Sequence, residues 1–83
     1  MTDDVAARLV DYIGAELSKI DEPIEPDTDL LLSGALDSLG VMAVTAWMED
    51  ELGVLVDPME VVLENFQTVD LMVAFLATKT NPT

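Results

Sequence analysis

The stretch Gly34-Ala35-Leu36-Asp37-Ser38-Leu39 joins a proline-broken segment to a helical one. Upstream, Pro23 and Pro26 forbid a continuous helix, and Asp27, Asp29 and Gly34 add loop character, so residues 21–37 read as a long connection. Downstream, at about 100° per residue, Val41, Val44, Met48 and Leu52 fall on one face. That spacing predicts a helix over 38–52 with this face in the core, closed by Gly53 as its C-terminal cap. Asp37 and Ser38 are both N-cap types and stand at the helix start. A serine placed there has an exposed hydroxyl, and the free N–H groups and dipole of a helix N-terminus suit a phosphodiester. Asp-Ser ahead of an apolar stretch is in most proteins a helix cap and nothing more. No base adjoins the hydroxyl, so it is not an activated nucleophile.

Working outward, Val5, Leu9, Tyr12, Ile13, Leu17 and Ile20 recur at helical spacing and predict a first helix over 3–20. Asp3 and Asp4 suit its positive end and Lys19 its negative end. Structureless connections as long as 21–37 are uncommon in small domains. Leu30, Leu31, Leu32 and Leu36 are therefore expected to anchor the loop in the core. Asp57-Pro58 reads as a cap with proline in the first turn, opening a short, irregular helix over 58–64. Thr68 caps a last helix over 69–79, with Asp70 in its first turn and Lys79 in its last. Leu71, Met72, Phe75 and Leu76 are expected to face inward there, and residues 80–83 to fray. Trp47 is expected at the edge of the core against the third helix. Met42, Met48, Met59 and Met72 read as gap-fillers. The result is an all-α chain of four helices in a single domain, 1–83, with a long first loop and a short third helix.

Composition narrows the function. There are 17 Asp and Glu against three Lys and Arg, a net charge of −14. Such a surface repels nucleic-acid backbones and anionic membranes and steers basic protein partners toward it. The chain has no cysteine and no histidine, which removes disulfides, thiolate zinc sites, cysteine nucleophiles and imidazole bases. Asp27-Thr28-Asp29 begins like a calcium loop, but Leu31 and Leu32 stand where that loop wants an oxygen ligand and glycine, so no metal site is assigned. No apolar run approaches the roughly 20 residues of a membrane span. The N-terminus has no secretory pattern, so a cytoplasmic protein is expected.

Leu36-Asp37-Ser38-Leu39 resembles the Asp-Ser-Leu signature of acyl and peptidyl (aminoacyl) carrier proteins. Pro26-Asp27-Thr28-Asp29-Leu30 is similar to that family's approach loop, and Phe66-Gln67-Thr68-Val69 to its entry into the final helix. The resemblance covers nearly the whole chain, in order. It implies the acyl-carrier-protein-like four-helix bundle. It also implies a phosphopantetheine arm, taken from coenzyme A by a phosphopantetheinyl transferase and joined to Ser38, with Asp37 and Leu39 flanking it. The arm's thiol would hold cargo as a thioester, and the protein itself would be no enzyme. The expected role is a freestanding, monomeric carrier. Its other partners would be a cargo-loading ligase, adenylating enzyme or acyltransferase, and a downstream synthase or transferase.

Leu39, Met42, Ala43 and Ala46 form a second apolar face on the helix that Ser38 opens. In the carrier family this helix is the main docking surface, and Glu49 and Asp50 would steer a basic partner. Packing of the same face against the first loop is the plainer alternative. Many fatty-acid-synthesis carriers are acidic along the first turns of this helix, whereas here Gly40, Val41, Met42 and Ala43 carry no charge. That departure points to a polyketide, nonribosomal peptide or related secondary-metabolite pathway, including antibiotic biosynthesis, with fatty-acid synthesis as the alternative. From a different class comes an acidic helical adaptor that binds a basic partner. Such an adaptor would account for the charge but not for Asp-Ser at the helix start.

Overall fold

The computed structural model describes residues 2–80, with side chains over 5–79. The side chains of Asp3 and Asp4 and residues 81–83 of the expected 80–83 frayed tail lie outside what is described, while Thr80 is still helical. Four α-helices and no strand occur among the described residues, giving the all-α bundle expected. Helix α1 runs Thr2–Tyr12 and continues as a π-helical turn, Ile13–Leu17, closed by the Ser18 N–H on the Ile13 carbonyl at 2.7 Å. The helix therefore stops short of Ile20, three residues earlier than its apolar spacing suggests. The Lys19 N–H is spent on the Ala35 carbonyl at 3.1 Å, and the Ile20 N–H on the Ser18 hydroxyl at 3.3 Å. Those two donors are lost to the helix ladder, one to the long loop and one to a serine side chain that competes with the backbone.

Helix α2 spans Ser38–Leu52, capped by Asp37 and closed by Gly53 at φ +68°. The left-handed Gly53 returns its N–H to Glu49, and Val54 returns its N–H to Met48, the double closure for which glycine is favoured. Asp57 and Glu60 cap each other around a 3₁₀ turn, Pro58–Glu60. The single helix expected over 58–64 is instead this turn followed by a separate α3, Leu63–Phe66. The amide of Asn65 takes the Glu60 carbonyl at 2.8 Å, the acceptor a continuous helix would offer to residue 64, and Val62 is extended. Helix α4, Val69–Thr80, starts on the Thr68 hydroxyl, which accepts the Leu71 N–H at 3.0 Å.

Leu9 and Ile13 from the first helix meet Val44 and Met48 from α2 and Val69, Met72 and Leu76 from α4 in one core. Of the four leucines expected to anchor the long loop, Leu30 and Leu36 are buried, Leu31 is half-buried and Leu32 is 79% exposed. The reason is the turn at Asp29, whose Oδ1 accepts the N–H groups of both Leu31 and Leu32. A turn that tight cannot aim three successive side chains the same way. On α4, Leu71 is exposed although an inward position was expected, and Val69 is buried instead. At about 100° per residue Leu71 lies well off the stripe centred on Met72 and Leu76. Met48 and Met72 fill the core, but Met42 and Met59 are exposed and fill nothing.

Trp47 sits half-buried at the edge of the core, as expected. Its ring stacks on Tyr12 of α1 at 5.7 Å, with Arg8 over its face at 5.2 Å. Five helical positions separate it from Met42, which turns it about 140° away from the side that faces α3.

Candidate functional site

The first turn of α2 is built from the Asp37 carboxylate. Oδ1 accepts the Gly40 N–H at 2.8 Å, and Oδ2 accepts the Lys19 ammonium at 2.9 Å. The Asp37 carbonyl takes the Val41 N–H. The Lys19 hydrogen bond first, and the Gly40 N–H after it, hold the Asp37 carboxyl below its usual range. Both oxygens are thus hydrogen-bonded, and the lowered pKa makes Asp37 a weaker base for its neighbour.

Ser38 is the first residue of α2 and is exposed. Its hydroxyl has no hydrogen-bond partner among the described residues, and neither do the N–H groups of Ser38 and Leu39. These are two of the donors that every helix start leaves over. Gly40 keeps this turn tight. A Cβ there would meet Leu36 Cδ2 at 3.0 Å and Asp37 Oδ1 at 3.5 Å, so the buried Leu36 packs directly on the helix start.

Beside Ser38 opens a cleft of about 290 Å³. Leu31 closes it from the loop, Val41 and Met42 from α2, and Val61, Val62, Leu63 and Phe66 from the α3 side. Ser38 is the one polar residue on its wall. The arrangement suits a group attached at the hydroxyl, with an anionic junction against free N–H donors and an apolar portion able to lie in the cleft.

The sequence-predicted residues divide by position. Asp37, Ser38 and Leu39 stand together at the helix start, and Met42 reaches the cleft. Leu39 is 75% exposed and Met42 64%; Ala46, Glu49 and Asp50 are exposed and Ala43 is half-buried. Leu39 and Met42 are thus not packed away under the first loop. Lys19 and the α3 wall of the cleft escaped the sequence reading. The run Val61-Val62-Leu63 was a visible apolar signal, but nothing local to Lys19 marks its partner 18 positions on. No helix in the described residues is long and apolar enough to cross a membrane, and no group of three or more acids is gathered as for a metal.

Comparison with known families finds one model, described as a phosphopantetheine attachment site, matching residues 7–76. No curated protein matches the chain.

Proposed function

The chain belongs to the phosphopantetheine attachment-site family of acyl and peptidyl carrier proteins, and on that premise we propose that Ser38 is the residue that receives the arm. Members of this family carry covalently attached phosphopantetheine, whose thiol supplies thioester chemistry; phosphopantetheinyl transferases attach the arm, and acyl-handling enzymes load and take the cargo it holds. The observation that carries the assignment is the exposed, unpartnered Ser38 hydroxyl at the first residue of α2, beside the apolar cleft. In the loading step Ser38 loses its hydroxyl proton and gains an O–P bond to the phosphopantetheinyl phosphorus of coenzyme A. The bond from that phosphorus to the adenosine bisphosphate breaks. With the Asp37 carboxyl held below its usual range by Lys19 and the Gly40 N–H, the base for this proton is assigned to the transferase.

The proposed setting is a cytoplasmic secondary-metabolite pathway, polyketide or nonribosomal peptide, with an amino acid or short acyl unit as cargo. It is supported by the helix that Ser38 opens, which carries no charge before Glu49 and exposes Leu39 and Met42. The partner this favours is one with an apolar seat and a basic rim, drawn in by the net charge of −14. The cleft favours a second reading, in which a fatty acyl chain is the cargo, because its apolar walls would shield methylenes from water.

Intact-mass measurement after incubation with coenzyme A, magnesium and a broad-specificity transferase tests the site. Wild type should gain one phosphopantetheine and Ser38→Ala none; a gain on Ser38→Ala would remove the assignment. Loading assays with adenylating enzymes and fatty acyl ligases then separate the two cargo readings. Loading by long-chain ligases alone would sink the amino or short acyl one.

A further inference from the structure

We propose that Lys19 is the counter-ion of the arm's phosphodiester, shared with Asp37, so that it holds the junction between arm and protein in place. This rests on Ser38 being the attachment residue. The chain has three basic side chains, and two are engaged elsewhere: Arg8 with Glu51 at 3.1 Å and Lys79 with Glu60 at 2.8 Å. Only Lys19 lies at the start of α2, 2.9 Å from Asp37 Oδ2.

Its position is set by the backbone as well as by the flexible side chain. The π-helical turn delivers the chain to Lys19, whose own N–H is pinned to the Ala35 carbonyl, three residues before Ser38. An ammonium has three donors. Asp37 takes one, and no second acceptor is found among the described residues, so donors remain on a side chain that is 60% exposed.

Attaching the arm adds a second anion on the residue next to Asp37. Anions on adjacent residues repel, because their separation falls within the Debye length of about 10 Å at 0.1 M salt. In a chain already at −14 the other two basic side chains are paired elsewhere, Arg8 with Glu51 and Lys79 with Glu60. Exposed ion pairs contribute little to stability on their own. The consequence is therefore in the difference between the unmodified and loaded forms, not in the unmodified protein.

The experiment compares thermal unfolding of the unmodified and phosphopantetheinylated forms of wild type, Lys19→Gln, Lys19→Arg and Arg8→Gln at low ionic strength, with intact mass reporting modification. Arg8→Gln makes the same charge change about 20 Å along α2 from Ser38, taking 1.5 Å per residue over the 13 positions from Ser38 to Glu51. Modification should lower the melting temperature of Lys19→Gln by about 2 °C or more beyond its effect on wild type. Lys19→Arg and Arg8→Gln should follow wild type, and the excess should vanish near 1 M salt. Equal changes in all four proteins, or the same excess in Arg8→Gln, overturn the counter-ion role while leaving the carrier assignment intact. A wild-type mass that never rises overturns both.

Discussion

The side-chain amide of Gln67 donates to Asp29 Oδ2 at 2.7 Å, across 38 residues of sequence. The same carboxylate holds the loop turn through Leu31 and Leu32. Beside it the Leu30 N–H donates to the Gln67 carbonyl at 2.7 Å, and the Asp70 N–H to that of Pro26 at 3.0 Å. The long loop is thereby stitched to the start of α4, so that Leu36 and the Asp37–Ser38 turn are carried on an anchored support. Asp29→Ala should lower the melting temperature by several degrees and Gln67→Leu by less, because only Asp29 serves both the turn and the cross-link. Calorimetry of the two variants checks the order; equal losses would assign the whole effect to the cross-link.

Acid should remove these contacts in a defined window. The carboxyls of Asp29, Asp37 and Glu60 are all held below their ordinary values, by the Leu32 N–H and Gln67, by Lys19, and by Lys79 respectively. A group whose pKa is lower in the folded state contributes stability above its unfolded value and loses it as pH falls through the folded one. The ordinary values are 3.8 for aspartate and 4.5 for glutamate. The stability difference between wild type and Asp29→Asn should therefore be fully present at about pH 6 and shrink progressively below about pH 4. Urea titrations across that range measure it. A difference that grows toward low pH would reverse the sign argued here.

The leucines of the long loop should separate sharply. Leu30 is fully buried and Leu32 is 79% exposed. Leu30→Ala should cost about 2–5 kcal/mol by loss of buried surface and the cavity left behind. Leu32→Ala should stay within about 0.5 kcal/mol of wild type. Equilibrium denaturation of both variants decides whether Leu32 shares with Leu30 in anchoring the loop.

Gly40 offers a test of the attachment turn that leaves Ser38 and Asp37 in place. A methyl group there would press on Leu36 Cδ2 at 3.0 Å. Gly40→Ala should slow phosphopantetheine transfer to Ser38 while retaining helical circular dichroism, because the turn must open to admit it. An unchanged transfer rate would show that Leu36 yields without moving the serine.

Salt should stabilise the protein by screening its −14 charge. Magnesium at millimolar concentration should raise the melting temperature only as much as sodium chloride of matched ionic strength, since no group of three or more acids is gathered for a cation among the described residues. A larger rise with magnesium would reveal a site.

What the sequence by itself determined is local. Asp37, Asp57 and Thr68 cap the elements they precede, Gly53 closes α2, and the prolines keep the first loop open. Each of these depends on atoms within a few residues, as does the Asp37–Ser38 step that marks the site. Even locally, competing hydrogen bonds can intervene: Ser18 ends the first helix early, and Asn65 splits the third. Only the tertiary structure decided which neighbour Trp47 stacks against. It also brought Lys19 to Asp37, Gln67 to Asp29, and the Val61–Phe66 segment to the cleft beside Ser38. These pairs lie some 18 to 38 positions apart, and their meeting depends on how whole helices pack. Periodicity tells which face of a helix is apolar, but not which neighbour will cover it.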